Sequence, residues 1–559
     1  MKKMLLGLLA SLAIFAVSPT MPAHAEDGKA MARNPIIWAD VPDTSIIRVG
    51  DTYYMSSTVM HLTPGLPIMK SKDLAHWEMV TYLYDTLGDS DKLALRNGQS
   101  VYSQGTWASS LRQHKDMFYL TTFSNSTGKT YIYKTKDIEK GPWTLSTLNK
   151  SIHDHSLFFD DDGRVYLTSP GGGNISLIEL TQDASDFKQG APTPVIIQNA
   201  SAIAGPVGLQ AEGSQIHKIN GKYYIFLITW PKGGQRTELV YRADKITGPY
   251  EGKVVLSDKG VAQGSVFDTP DGKWYALLFQ DNGAVGRTPF LVPVKWEDGW
   301  PMMGVDGKVP MTLDFPAGKQ EDMSGIVGSD EFTRPEAVIA ELKKKTPGEN
   351  DYTRAAFPLQ WEWNHNPDNR YWSLTAREGW LRLTNGNTVP ELSQARNMLS
   401  QRTFGPECSA NTCIDVSNMK DGDFAGITAF QKEYGFVGVK MEGDAKSIVM
   451  VKAPAGRPGP PQPGAAPQKP EEVQSIPLTQ KTVYLKVDCD FKNRKDTATF
   501  YYSLDGKKWD VIGKNLKMSY TLPHFMGYRF GLFNFATKTT GGFVDFDYYH
   551  VDSKITAAN

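Results

Sequence analysis

The sequence has 559 residues, of which 40% are hydrophobic and 22% are charged, as expected of a folded chain long enough for two to four domains. Its 60 basic and 61 acidic residues give a formal net charge of -1. This balance gives no electrostatic basis for binding nucleic acid or an anionic membrane, so a neutral partner such as a sugar fits better. The 13 Trp and 24 Tyr residues favour a sugar too, because flat rings pack on its C–H surfaces, although large β-sheet proteins are also rich in aromatic residues.

The N-terminus has the three parts of a secretory signal peptide. Two lysines precede an apolar run over residues 4–17, and Ala23-His24-Ala25 follows as a small-residue cleavage site. We therefore predict a signal peptide over residues 1–25 and a periplasmic or secreted protein. The apolar run is shorter than the roughly 20 residues that cross a bilayer, and no later segment approaches that length, so we expect no membrane span.

A turn followed by an aromatic strand recurs five times in the next part of the chain. Most copies carry Asn-Gly or Asp-Gly, the dipeptides that two-residue hairpins need. The copies are residues 49–54, 114–119, 162–166, 220–224 and 271–275. Their last tyrosines lie 47 to 65 residues apart, the size of a four-stranded blade with its loops. This repeat predicts an all-β fold with a five-bladed β-propeller over residues 26–320; an array of β-sandwiches with accidental similarity is the alternative.

Beyond residue 320 the repeat is lost, but alternating β patterning continues. The second half, residues 321–559, is therefore predicted to be a β-sandwich. It contains seven prolines within residues 453–470, which favours a solvated loop there. Its three cysteines, Cys408, Cys413 and Cys489, allow at most one intramolecular disulfide.

Five residues share nearly one position relative to the repeated hairpins. Asp43 lies 11 residues before the last tyrosine of its copy, and Trp107, Asp154, Glu212 and Gln263 each lie 12 before theirs. In a propeller the innermost strand of each blade runs along the central channel, so equivalent positions converge on one cavity. We expect these five side chains to meet at the channel.

The three acids in this register, Asp43, Asp154 and Glu212, are the candidate catalytic residues. Like charges gathered in a partly desolvated pocket raise at least one pKa, which suits a site that needs both a proton donor and a base. Glycosidic cleavage divides the work in this way and needs no cofactor. The alternative is that each acid caps a turn or binds an ion, and the sequence leaves the presence of a metal unknown.

Four further residues are candidate substrate contacts. Trp107 is either a sugar-stacking wall or a core residue, and Gln263 is a substrate or ion contact. Arg287 follows the fifth hairpin and either returns to the channel to hold sugar hydroxyls or remains on the surface. His61, on the loop after the first hairpin, is the fourth candidate, and its position is not one of those that repeat among the hairpins.

At these residues the chain resembles family 43 of the glycoside hydrolases, and the resemblance covers nearly all of the mature chain. Many members of that family join a five-bladed propeller to a concanavalin-like β-sandwich. The segments that carry the resemblance are residues 42–46, 105–110, 154–158, 212–214, 280–287 and 296–301.

The resemblance implies roles for the three acids. Asp43 would be the general base and Glu212 the general acid, with Asp154 orienting the acid and adjusting its pKa. The mechanism would be inversion, with the Asp43 and Glu212 carboxyl groups about 6.5 to 9.5 Å apart. Similar enzymes release terminal pentoses, so the resemblance implies an exo-acting α-L-arabinofuranosidase or β-xylosidase that acts on hemicellulose-derived oligosaccharides.

Two expectations concern the second half. A loop of the family's C-terminal domain can close the propeller mouth, and residues 361–366 are the candidate contact segment; ordinary packing between the domains is the alternative. Asp330 and Asp547 are candidate ligands of a structural calcium ion, because oxygen ligands suit that cation.

Three other functions remain open at this stage. A retaining fructosidase would also have five blades, but its Asn-Asp-Pro-Asn-Gly and Arg-Asp-Pro signatures are absent. A carbohydrate-binding propeller without catalysis would explain the aromatic residues but not three acids in one register. A propeller that binds a protein partner would need an apolar patch, which the sequence does not reveal.

Overall fold

The computed structural model describes residues 30–344, 346–351, 354–454 and 469–556. The predicted signal peptide and residues 455–468 of the proline-rich stretch lie outside this part. No helix among the described residues is long and apolar enough to cross a membrane. The fold is nearly all β, as predicted.

The first half of the chain forms five four-stranded antiparallel sheets, each built from consecutive strands. They follow a short strand, β1 (Met31–Arg33), and precede β23 (Thr312–Pro316), its partner in a two-stranded sheet. Blade 1 consists of β2 (Ser45–Val49), β3 (Thr52–Ser56), β5 (Gly65–Ser71) and β6 (Glu78–Tyr84), and the short strand β4 (Leu62–Thr63) lies between β3 and β5 in the chain. Blade 2 consists of β7 (Ser109–His114), β8 (Met117–Ser124), β9 (Lys129–Thr135) and β10 (Thr144–Leu148), and blade 3 of β11 (Ser156–Phe159), β12 (Val165–Gly171), β13 (Asn174–Leu180) and β14 (Val195–Ile197). Blade 4 consists of β15 (Val207–Ile219), β16 (Lys222–Pro231), β17 (Thr237–Ala243) and β18 (Glu251–Leu256), and blade 5 of β19 (Ala262–Asp268), β20 (Trp274–Asp281), β21 (Arg287–Glu297) and β22 (Trp300–Met303).

The first strands of the five blades close into a ring. Each of β2, β7, β11 and β15 contacts the first strand of the next blade, and β19 contacts β2. The hairpin turns lie where the sequence places them. At the turn between β15 and β16, Asn220 and Gly221 both have positive φ, 50° and 80°, as the favoured two-residue hairpin turn requires. The predicted five-bladed propeller is confirmed.

The second half is a sandwich of two antiparallel sheets. The α-helix and strands that the structure describes in this half are α1 (Glu336–Lys343), β24 (Glu362–Asn364), β25 (Trp372–Ser373), β26 (Leu381–Thr384), β27 (Leu399–Arg402), β28 (Glu407–Asp415), β29 (Asp423–Phe430), β30 (Gly435–Glu442), β31 (Ala445–Lys452), β32 (Glu471–Leu478), β33 (Thr482–Asp490), β34 (Thr497–Ser503), β35 (Asp510–Val511), β36 (Leu516–Lys517), β37 (Arg529–Ala536), β38 (Phe543–Phe546) and β39 (His550–Asp552). Short 3₁₀ helices cover Ala200–Ala204, Gly283–Val285, Arg354–Ala356, Leu392–Gln394 and Lys492–Arg494. One sheet runs β32-β31-β30-β29-β37-β27-β24-β4, and the other runs β25-β26-β38-β28-β33-β34-β35, with β36 and β39 attached to it.

The two halves share a hydrophobic core and a sheet. Strand β4 of the propeller pairs with β24, which extends the first sandwich sheet by one strand. Ile46 and Tyr82 of the propeller belong to the same buried cluster as Trp363 and Phe530 of the sandwich. Because burial of apolar surface is the main favourable term in such packing, this shared core fixes the position of the sandwich on the propeller.

Four buried charged side chains also lie at this junction. Arg402 Nη2 is 3.1 Å from Glu362, and Arg529 lies 3.6 Å from both Glu362 and Asp40. All four are no more than 1% exposed. Two cations and two anions balance in charge, as buried ions must if they are to avoid a large desolvation cost.

Candidate active site

The predicted catalytic residues all come from the innermost part of a blade. Asp43 and Asp154 each stand two residues before the first strand of their blade, and Glu212 and Gln263 lie within β15 and β19. Asp43, Asp154 and Gln263 have positive φ values of 53°, 42° and 63°. Such a backbone is uncommon outside glycine and collects at functional sites, and it redirects each side chain just where its strand begins.

Three of these side chains line one small cavity in the channel. Asp43, Asp154 and Gln263 surround it together with Gly213, the residue after Glu212. The cavity has a volume of about 10 Å³, which is close to the space that one water molecule needs. The structure therefore brings three of the five register residues together around a space for one small molecule, and Trp107 and Glu212 are not part of that lining.

Asp43 is held by Arg287. The Nη1 atom of Arg287 lies 2.8 Å from each carboxylate oxygen of Asp43, and the two residues are 3% and 7% exposed. Burial raises the pKa of Asp43 above its ordinary value, while the charges of Arg287 and, more weakly, Arg236 act in the opposite direction. The Nε and Nη2 atoms of Arg287 have no hydrogen-bond partner among the described residues. Arg287 thus returns to the channel, one of the two outcomes that the sequence left open.

Asp154 and Glu212 are linked through the backbone and through His153. Asp154 Oδ2 accepts a hydrogen bond from the backbone N–H of Gly213 at 2.9 Å, which fixes the chain beside Glu212. His153 Nε2 lies 3.2 Å from Glu212 Oε2 and 3.5 Å from Asp154 Oδ2. Sequence reasoning missed His153; its position beside Asp154 in the chain was the only available signal.

The charges of this group shift the pKa values of its members. Burial, reinforced by the charges of Glu212 and Asp43 and opposed by that of His153, raises the pKa of Asp154 to about 7. Burial lowers the pKa of His153, but its bond to Glu212 and the charge of Asp154 outweigh this and raise it to about 9. His153, Asp154 and Glu212 are also the one group of potential metal ligands that lie close together within the described residues.

Trp107 lies at the mouth beside an aromatic residue that the sandwich supplies. Its ring stacks on Phe525 with centroids 5.7 Å apart and also contacts His153. Phe525 in turn lies under the Arg287 guanidinium, 4.6 Å from ring centroid to Cζ. The loop that carries Phe525 lies between β36 and β37 and is the sandwich segment that reaches the channel. No sequence signal identified it, because its contacts are with residues more than 200 positions away.

The predicted contact segment, residues 361–366, does contact the propeller, but not at the mouth. Trp363 and Asn364 pair with β4, and Asn364 Oδ1 is 3.1 Å from His61 Nε2. His61 is 3% exposed and packs between the rings of Tyr102, His365 and His524. The candidate role of His61 as a substrate contact is therefore not supported, because its ring is enclosed between the two halves of the chain.

Gln263 has a partner that sequence reasoning also missed. Its backbone N–H donates a 2.8 Å hydrogen bond to Glu238, which is fully buried in β17. Burial raises the pKa of Glu238 well above its ordinary value, which favours the neutral carboxylic acid. The Gln263 side chain packs against Gly213, since a Cβ atom there would stand 2.8 Å from Gln263 Cγ. Gln263 thus lies beside Gly213, the residue that follows Glu212.

One of the two predicted calcium ligands, Asp330, is already engaged by other side chains. Asp330 accepts hydrogen bonds from both terminal nitrogens of Arg334, at 2.8 and 2.7 Å, and from Trp361 Nε1 at 2.9 Å. A carboxylate already neutralised by a guanidinium and surrounded by donors offers no open oxygen to calcium. Asp330 and Asp547 also do not belong to any group of clustered metal ligands in the described ranges. Calcium binding at Asp330 and Asp547 therefore gains no support here and stays a prediction.

Comparison with known families matches most of the chain. Residues 32–301 match the model of glycosyl hydrolases family 43, and residues 349–552 match the model of the β-xylosidase C-terminal concanavalin A-like domain. The two matched regions correspond to the propeller and the sandwich.

Individual relatives agree with these matches. A β-xylosidase of Formosa agariphila is 29% identical over 93% of this chain and 90% of its own length. A non-reducing end α-L-arabinofuranosidase of Bacteroides ovatus is 30% identical over 71% of this chain and 73% of its own. Among solved structures, a bifunctional GH43-CE protein of Bacteroides eggerthii is 52% identical with a TM-score of 0.87. That match covers 95% of this chain, which spans 64% of the bifunctional protein.

Proposed function

This chain belongs to family 43 of the glycosyl hydrolases, and we propose that it removes single terminal pentoses, α-L-arabinofuranose or β-xylose, from hemicellulose-derived oligosaccharides. It is an exo-acting glycoside hydrolase whose substrate is a carbohydrate. The observation that carries the proposal is the arrangement of three acids from three different blades. Asp43 and Asp154 line one small channel cavity, and Asp154 is linked to Glu212 through the backbone N–H of Gly213 and through His153.

Asp43 is the general base of this proposal. Inversion needs an ionised carboxylate that removes a proton from the attacking water. The paired guanidinium of Arg287 favours the charged form of Asp43 in a site where burial alone would protonate it. The cavity that Asp43 lines has the size of the one water molecule that this step consumes.

Glu212 is the general acid, and Asp154 positions it. At 29% exposure the Glu212 side chain faces the open end of the site, where a leaving-group oxygen would arrive. Asp154 accepts a hydrogen bond from the backbone N–H of Gly213, the residue that follows Glu212, and the charge of Glu212 raises the pKa of Asp154. In this proposal Glu212 donates a proton to the glycosidic oxygen as the bond to the leaving group breaks.

Trp107, Phe525 and Arg287 form the binding surface for the terminal sugar. The two stacked rings offer an apolar wall to the C–H face of a pentose. The Nε and Nη2 atoms of Arg287, which have no partner among the described residues, are the proposed hydrogen-bond donors for its hydroxyls. The names of the relatives, which include β-xylosidase and α-L-arabinofuranosidase, support both pentoses as substrates.

The site of action is the periplasm or the extracellular space. The support is the signal-peptide pattern of residues 1–25, with two lysines, an apolar run and Ala23-His24-Ala25. A protein exported in this way would meet oligosaccharides released from plant cell walls.

The test is hydrolysis of chromogenic α-L-arabinofuranoside and β-xyloside, with the anomer of the first product followed by proton NMR. We expect turnover of at least one substrate, an inverted product, and loss of activity by a factor of 10³ or more in Glu212→Gln. Glu251→Gln, in the same blade but paired with Arg242 on the surface, is the matched control and should retain full activity. Absence of turnover on both substrates, with sugar binding retained, would instead favour a non-catalytic carbohydrate-binding propeller.

A further inference from the structure

A second pocket lies at the junction of the propeller and the sandwich, built from residues that the catalytic site does not use. It has a volume of about 300 Å³, which is at the lower end of the range for small-ligand sites. The propeller contributes the segment that contains Asn97, and the sandwich contributes Tyr371, Asn385, Asn387 and Asn534. A molecule bound there would contact both halves of the chain.

Two residues that line this pocket have buried amide oxygens with no hydrogen-bond partner among the described residues. Asn385 and Asn534 are 3% and 5% exposed, and both line the pocket. Asn385 Nδ2 donates to Asp423 Oδ1, and Asn534 Nδ2 donates to the carbonyl of Leu383, which fixes how each amide is turned. The Oδ1 atom of each is left unpaired within the described residues. Because buried polar atoms are rarely left unpaired, two such acceptors at one cavity point to a hydrogen-bond donor that enters it.

Each arginine of the pocket already lies in an ion pair, and Arg96 also pairs with Asp89 and Asp91 outside the lining. Arg96 and Arg396 lie 3.0 and 2.7 Å from Glu349, and Arg370 lies 2.7 Å from Asp368. These pairs leave amide groups and a phenol ring to meet a ligand. A charged ligand would have to displace an existing ion pair, whereas an uncharged one would not.

We propose that this pocket is a second carbohydrate-binding site, which takes a neutral sugar unit of an oligosaccharide. Sugar hydroxyl groups donate hydrogen bonds, as the unpaired oxygens of Asn385 and Asn534 require. Sugar hydroxyl groups also accept hydrogen bonds, and the amide nitrogen of the exposed Asn387 can donate one. The half-buried ring of Tyr371 also lines the pocket and adds apolar surface for the C–H groups of a sugar. Such a site would hold an oligosaccharide or polysaccharide on the enzyme independently of the catalytic channel.

The test is calorimetric titration of xylotriose into the Glu212→Gln variant, which should not hydrolyse it. The choice of xylotriose rests on the proposed function, so two further substitutions are made separately in this background. Trp107→Ala removes a wall of the catalytic mouth, and Asn534→Leu removes an unpaired oxygen of the second pocket while keeping a similar volume. Asn149→Ala, an exposed asparagine of the propeller, is the control.

We expect each chain to bind two molecules of xylotriose in two separate binding events. Asn534→Leu should weaken the affinity of one event about tenfold, and Trp107→Ala should weaken the affinity of the other by about the same factor. If the proposed function is wrong but the second site exists, one event remains that responds to Asn534→Leu and not to Trp107→Ala. Binding that Asn534→Leu leaves unchanged, or no binding at all, would overturn the proposal.

Two measurements guard against misfolding of the Asn534→Leu variant. Asn387→Ala alters only an exposed side chain and should weaken the same event by a factor of about three. A crystal soaked with xylotriose should show the sugar in contact with Asn385 or Asn534. Water alone in that pocket at saturating sugar would contradict the proposal.

Discussion

Arg287 binds both carboxylate oxygens of Asp43 through a single nitrogen, Nη1, at 2.8 Å from each. Asp43 begins the first blade and Arg287 lies in the fifth, so the contact crosses the point where the ring closes. Burial raises the pKa of Asp43, and the positive charge of Arg287 opposes this rise and so favours the ionised carboxylate.

Replacement of Arg287 by Gln should move the acidic limb of the pH–activity profile upward. The lost positive charge no longer opposes burial, so the pKa of Asp43 rises further, and the base is ionised only at higher pH. An upward shift of about one to three pH units in kcat/KM is expected, with lower activity at the optimum. Arg236→Gln is the matched control, because Arg236 acts on Asp43 in the same direction but more weakly. Equal profiles for wild type and Arg287→Gln would show that Asp43 is not the base.

Replacement of Phe525 by Ala should weaken substrate binding more than it slows the chemical step. Phe525 comes from the sandwich and supplies one face of the aromatic wall at Trp107. Its loss should raise KM about tenfold while kcat changes less, since the carboxylates lie on the propeller. Leu522→Ala in the same loop, where the side chain is 70% exposed, should leave both constants unchanged. A fall in kcat with unchanged KM would argue against this role.

The His153 side chain should make stability depend on pH between about 6.5 and 9. Its pKa is raised to about 9 in the folded protein, so the charged form is favoured there. The resulting stabilisation is fully present below pH 6.5 and is lost as pH rises through 9. His153→Gln removes this titrating side chain, so the fall in Tm between pH 6.5 and 9 should become smaller by an amount on the order of 1 °C. His76→Gln, which breaks a surface pair with Asp73, is the control.

If His153→Gln retains the wild-type decline between pH 6.5 and 9, another group must titrate there. Asp154 acts at lower pH. Its pKa of about 7 means that the folded state prefers its protonated form, so its contribution is lost as pH rises from about 4 to 7. The two contributions can therefore be separated by the pH at which Tm falls.

The three cysteines should behave as unreactive thiols. Cys408 and Cys489 are paired across strands β28 and β33, and all three side chains are buried and free. Burial raises the pKa of Cys489 well above its ordinary value and that of Cys413 to about 12, so little reactive thiolate forms at neutral pH. A thiol reagent should label no cysteine in the native protein and three in denaturant. Only one labelled cysteine in denaturant would indicate a disulfide.

The sequence by itself determined the propeller and the positions of its acids. Each blade begins again with the same hairpin, so a constant spacing before Tyr119, Tyr166, Tyr224 and Tyr275 marks equivalent positions of the innermost strands. Because each blade is related to the next by nearly the same rotation, residues at equal spacing in the repeat occupy equivalent positions in space. Asp43, Asp154 and Gln263 could be assigned to one channel for this reason.

Only the tertiary structure decided which side chains from outside the repeat complete the site. His153 precedes the register position by one residue, and Phe525 reaches the channel because the sandwich docks on the propeller through a shared core and the β4–β24 pair. The same docking encloses His61, and the Arg334 guanidinium forms an ion pair with the carboxylate of Asp330. These contacts join residues far apart in the chain and depend on packing between two surfaces. No local spacing encodes such packing, whereas the repeat encodes the channel directly.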